Sequence, residues 1–156
     1  MMRYSNAPQH GSGFTLVEVL VALVVLAVGM LGIAGLYVEG LKAGRTSIYR
    51  TTAVRLASDM ADRIRANPVA PASYAGVGPG TNAFVCVNGA DPCNADELAQ
   101  DDWFSWNQAI QARLPQGAAA NIVAQPVGTL TQYTITLQWP EVGQADPVSY
   151  TLVMRQ

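Results

Sequence analysis

Hydrophobic positions follow three different rhythms along this chain, and each rhythm predicts a different element. From Phe14 to Val38 the sequence reads FTLVEVLVALVVLAVGMLGIAGLYV, an almost unbroken apolar run whose one charge is Glu18. As a helix it would rise about 37 Å at about 1.5 Å per residue, enough to cross a hydrocarbon layer of about 30 Å. A transmembrane helix is therefore expected over 14–44. From Arg45 the pattern becomes amphipathic: Ile48, Thr52, Leu56, Met60 and Ile64 recur every fourth position, flanked by Tyr49, Ala53, Ala57 and Ala61. That spacing predicts a helix over 45–67 with one apolar face. Asp59 with Arg63 and Asp62 with Arg65 fall on its polar side, where such pairs contribute about 0.2–0.5 kcal/mol each. Asn67-Pro68 ends it, because the residue before a proline is biased away from helical dihedrals.

Segment 68–100 loses the helical period and is rich in Pro and Gly, so it reads as loop, with a short strand expected at Ala83–Val87 before an Asn88-Gly89 turn. Asp101 then looks like the cap of a short helix over 101–114, with Pro115 beyond its end and Trp103, Trp106, Ile110 and Leu114 on one side. A clustered pair of tryptophans can stack on sugars or bases, but the helical spacing and the lack of nearby basic residues favour packing. In the last third the period drops to two. Tyr133, Ile135, Leu137 and Trp139 alternate with polar residues, as do Val148, Tyr150, Leu152 and Met154, and Asn121–Gln125 supplies a further strand. Antiparallel strands over 119–156, laid on the amphipathic helix, would bury both apolar faces. The expected fold class is α+β, a long N-terminal helix on a sheet of three or four antiparallel strands.

Composition narrows the chemistry. The chain has 156 residues, half of them hydrophobic and 13% charged, with a net charge of -2. With Lys42 as the single lysine, the chain offers little to a phosphate backbone, and no nucleic-acid partner is expected. The only histidine is His10, which excludes a Ser-His-Asp or Cys-His nucleophile if the amino-terminal segment is removed, and two cysteines are too few for a four-thiolate zinc site. No phosphate loop, metal constellation or internal repeat occurs, so no cofactor, metal or catalytic residue is expected. The acids from Asp91 to Asp102 lack a neighbouring base and read as a solvated surface.

The apolar run is too long for a secretory signal core of about 7–15 residues, and the small residues that resemble a processing site, Gly11-Ser12-Gly13, stand before it rather than after it. Lys42, Arg45, Arg50 and Arg55 follow the run, and a simple count of positive charge would place the C-terminal side in the cytoplasm. Glycines 29, 32, 35, 40 and 44 interrupt the pattern, consistent either with close helix packing through small residues or with a stretch able to extend.

Gly13-Phe14-Thr15-Leu16-Val17-Glu18, a glycine, a phenylalanine and then an apolar stretch with glutamate at its fifth position, resembles the class III leader and N-terminal helix of type IV pilins and type II secretion pseudopilins. The resemblance implies a leader over 1–13, cleavage between Gly13 and Phe14 by a prepilin peptidase, and N-methylation of Phe14. It also implies that Glu18 neutralises the Phe14 amine of its own or a neighbouring subunit during assembly. Orientation follows from it against the positive-charge count: a single pass through the bacterial inner membrane with a periplasmic head over 45–156. In that oxidising compartment, Cys86 and Cys93 are expected to form a disulfide, since a redox-active pair would need closer spacing or nearby cations.

Within that class, the run from Gly13 to Gly35, the stretch Ala57-Ser58-Asp59-Met60-Ala61-Asp62-Arg63-Ile64-Arg65-Ala66-Asn67-Pro68, and the pieces Asp102-Trp103 and Leu114-Pro115-Gln116-Gly117 are similar to the PilV-type minor pilins, or type IV pilus modification proteins. That similarity implies a role in priming pilus assembly and a place at the tip, with other minor pilins, the major pilin, the inner-membrane assembly platform and membrane lipid as partners. A minor pseudopilin of type II secretion and a membrane-anchored binding module remain the alternatives.

Overall fold

The computed structural model describes residues 13–78, 81–87, 89 and 92–156. Helix α1 spans Leu16–Ala66 without a break, passing through all five glycines of the apolar stretch. A short 3-10 turn follows at Pro71–Tyr74, then helix α2 at Ala95–Arg113, and strands β1 at Ala119–Val127, β2 at Leu130–Trp139 and β3 at Val148–Arg155. The chain divides into two compact units, one ending at Leu41 and one spanning Lys42–Gln156. In the first, the helix is long and apolar enough to cross a membrane, and none of its most apolar stretch is buried.

The second unit is a layered head. β1, β2 and β3 form an antiparallel sheet in that order, so each strand pairs with its neighbour in sequence. The register places Ile122 opposite Ile135, and Ile135 opposite Leu152, so apolar side chains of all three strands share one face. Ile122, Tyr133, Ile135, Leu137, Trp139 and Met154 are buried there, against Leu56, Met60 and Ile64 of α1 and Trp103, Trp106 and Ile110 of α2. The period-two pattern is satisfied by one covered and one solvated sheet face. Two residues, Gly128 and Thr129, join β1 to β2, and Gly128 adopts a φ of 65° that such tight hairpins require.

Three expectations are corrected. The α1 core stripe runs through Ala53, Leu56, Ala57, Met60, Ala61 and Ile64, whereas Ile48 is 64% exposed. A strict four-residue repeat drifts against the 3.6-residue turn, so Ile48, four such repeats upstream of Ile64, has rotated by about 160° off the packed face. The short helix expected to start at Asp101 starts instead at Ala95, capped by Asn94. The Asn94 side chain accepts from the Asp96 and Glu97 N–H groups, and Glu97 accepts in return from the Asn94 N–H at 2.8 Å. This reciprocal box satisfies the first-turn donors of a helix whose cap stands seven residues ahead of Asp101. Ala83–Val87 is not a strand: its backbone joins no ladder, and the Cys86 N–H donates to a side chain, Asp101 Oδ2, at 3.3 Å. Asn88 of the expected turn, and the leader up to Ser12, lie outside the described residues.

Candidate assembly and processing site

Thr15 stops the helix at its amino end. Its side-chain oxygen accepts from the Glu18 N–H at 3.3 Å, and its carbonyl accepts from Val19 at 3.3 Å, the first turn of α1. Thr15 therefore acts as the N-cap and leaves Gly13 and Phe14 outside the helix. The sequence carried this signal, a threonine followed three residues later by glutamate, but Glu18 reads there as a partner for the Phe14 amine and not as part of a helix cap. Phe14 is 83% exposed. Phe14 and Glu18 line one open groove with Val19, Ala22, Leu23 and Leu26, so the aromatic ring and the carboxylate share a single apolar surface one turn apart. No ion pair of Glu18 occurs among the described residues. A carboxylate at the start of a helix is favoured by the macrodipole, which offsets part of its cost in an apolar setting.

The other predicted pair is also placed. Cys86 and Cys93 are joined by a disulfide. It closes a small loop, which on the chain-entropy view stabilises the fold by about 2.5 kcal/mol. Hydrogen bonding of the Cys86 N–H to Asp101, a buried carboxylate on α2, ties this loop to the head. Gly78 sits before that loop with a φ of 70°, and a Cβ there would lie 2.3 Å from the Trp103 ring. Only glycine allows the chain to pass so close to the indole.

Around Trp103 lies a polar clamp that sequence reasoning missed. Arg63 pairs with Asp59 at 3.1 Å, as its spacing predicts, but also with Asp102 on α2 at 2.9 Å. The Tyr74 hydroxyl donates to Asp102 at 2.7 Å and accepts from Asn67 at 3.3 Å, while Asn67 also donates to the Ala95 carbonyl at 2.7 Å. Two indoles complete it: Trp103 donates to the Tyr74 carbonyl at 3.0 Å and Trp106 to the Leu56 carbonyl at 2.8 Å. Burial opposes the charge on Arg63, but the hydrogen bond and charge of Asp102 and the charge of Asp59 outweigh it and raise its pKa. Burial, then the hydrogen bond to Asp102, pushes the Tyr74 hydroxyl well above its ordinary value. Trp103 and Trp106 pack edge to face with centroids 5.2 Å apart and are fully buried, which makes them core and not a stacking platform. No group of three or more His, Cys, Asp or Glu side chains that could hold a metal occurs among the described residues.

Two family models match this chain. The prokaryotic N-terminal methylation motif covers residues 10–34, and the type IV pilin Tt1218 model covers residues 35–104. No curated protein and no solved structure matches it. The motif falls on the Phe14–Glu18 groove and the apolar helix, the pilin model on the amphipathic helix and the clamp, and the remainder supplies an antiparallel sheet laid on that helix. Leader motif, pilin model and helix-on-sheet α+β fold agree, and together they support a type IV pilin-like protein.

Proposed function

We propose that this pilin is a minor one, of the PilV type, which helps prime type IV pilus assembly within a complex of minor pilins and takes a place at the pilus tip. The pilin family is structural and not enzymatic, so its action is to dock. The observation that supports the reading is the groove shared by Phe14 and Glu18 on an otherwise apolar helix. A prepilin peptidase cuts between Gly13 and Phe14, the new amine is methylated, and Glu18 neutralises it on the same or a neighbouring subunit. An ionised carboxylate in hydrocarbon costs about 2.5–3.5 kcal/mol, and pairing with an amine recovers much of that. The amine exists at Phe14 only after the cut, so cleavage licenses assembly. The head then stands on the periplasmic side of the inner membrane, where the Cys86–Cys93 disulfide persists. Subunits related by a screw operation meet through different faces, a contact that extends into a fibre rather than closing.

Replacing Glu18 tests the docking step. Glu18→Ala is expected to be cleaved at near the normal rate and to co-purify poorly with the other minor pilins; equal recovery of variant and wild type would contradict the role. Deleting the gene and scoring surface fibres and twitching against exoprotein export separates a pilus subunit from a secretion pseudopilin.

A further inference from the structure

The head carries a second hollow, remote in sequence from Phe14 and Glu18. Lys42, Arg45 and Tyr49 of α1 line one side, and Pro140, Glu141 and Val142 at the start of the β2–β3 loop line the other, around a volume of about 270 Å³. The Thr46 hydroxyl donates to the Glu141 carboxylate, which fixes the loop against the helix and holds that carboxylate at the hollow. Val142 is 83% exposed, an aliphatic side chain at a loop tip with nothing covering it. The apolar run ends at Val38, and beyond Glu39 the cations Lys42 and Arg45 follow four and seven residues after it. A rise of about 1.5 Å per residue keeps both cations within about two turns of the end of the apolar run, at the depth where lipid headgroups lie.

Two cations and one carboxylate, beside the Thr46 and Tyr49 side chains and the apolar Pro115, Pro140 and Val142, match a ligand that carries a phosphate and an amine together. We propose that this hollow binds a zwitterionic phospholipid headgroup with a primary ammonium, that of phosphatidylethanolamine. Arg45 and Lys42 take the phosphodiester, Glu141 accepts from the ammonium, and Val142 and Pro140 cover the glycerol and the first methylenes. Headgroup chemistry sets the preference. Phosphatidylglycerol offers the phosphate but leaves Glu141 facing a neutral diol, and phosphatidylcholine offers a cation with no N–H to donate. The proposal rests on the reading of this chain as a membrane-anchored pilin. It gives the head a lipid contact that holds it to the bilayer surface until a filament subunit displaces the lipid.

Native mass spectrometry of the full-length chain, released from mixed micelles holding the three phospholipids in equal amounts, tests this. The wild type is expected to retain phosphatidylethanolamine about fivefold over phosphatidylglycerol, the discrimination supplied by one surface ion pair at the upper end of its range. Glu141→Gln should bring that ratio near unity and Glu141→Asp should restore most of it, whereas Arg45→Gln should lower retention of both lipids. Equal retention of all three headgroups by the wild type, or an unchanged ratio in Glu141→Gln, would overturn the proposal. Loss of the lipid to excess inorganic phosphate would also overturn it, by identifying a free-anion site. Fractionation of the cells keeps this result separate from the anchoring itself. A chain found in the membrane without headgroup preference sinks the lipid site alone, and a chain absent from the membrane sinks both.

Discussion

Tyr74 is fully buried, yet its hydroxyl meets an asparagine from the end of α1 and an aspartate from α2, so one phenol joins three segments of the head. Tyr74→Phe keeps the packing and removes both bonds, and it should destabilise the detergent-solubilised chain by about 1.5 kcal/mol in denaturant titrations followed by tryptophan fluorescence. The same residue gives the head an alkaline limit. Below the ordinary tyrosine value near 10, Tyr74 keeps its proton whether the chain is folded or unfolded. Above it the unfolded chain loses that proton while the folded one, with burial and Asp102 opposing ionisation, retains it, so ionisation draws the equilibrium toward unfolding. The unfolding midpoint should therefore fall as pH rises past about 10, and Tyr74→Phe should flatten the fall. Tyr133, whose pKa burial also raises, accounts for part of what remains. Much of this clamp was illegible in the sequence. Asp59 and Arg63 advertise themselves by four-residue spacing, but Asp102 is 39 residues from Arg63, and only the fold brings them together.

Among the elements, those with a long uninterrupted period were legible: α1 ends at Ala66 ahead of Asn67-Pro68, β2 buries the alternating residues that its pattern marks, and β3 turns its own toward the core, with Met154 buried and Val148, Tyr150 and Leu152 half-buried. The start of α2 was not, because its first turn, Ala95 to Leu98, shows no apolar rhythm and is set by a capping box instead. Asn94→Ala should cost about 1 kcal/mol and fray that turn, measured as faster amide exchange at Asp96 and Glu97 with little change at Trp106. If α2 began at Asp101, as the tryptophan spacing alone implies, the substitution would leave both exchange and stability unchanged. Ala83–Val87 misled for the converse reason. Phe84-Val85-Cys86-Val87 has the composition of a strand, but among the described residues the bridge to β1 is made upstream, between Gly76 and Ile122, and a disulfide with the Asp101 contact holds the segment in place of a ladder.

At the scale of the whole molecule, the chain joins a head with a complete core to a helical segment that has none. Leu16, Leu31, Leu36 and Tyr37 are each at least 70% exposed, and a continuous apolar surface of this kind requires lipid or neighbouring helices to cover it. The sequence makes this division plain, since Phe14–Val38 holds one charge, and the methylation motif falls on it. The cap that leaves Phe14 outside the helix was written in the sequence as Thr15 three residues before Glu18, a signal the apolar run around it masked. The central claim is that this helix is a polymer's building piece, released from its leader and docked through Glu18. Intact-mass and amino-terminal sequencing of the membrane-extracted chain tests it most directly. The account predicts a chain beginning at Phe14 and carrying one added methyl group; recovery of a Met1 terminus from cells with an active prepilin peptidase would contradict it.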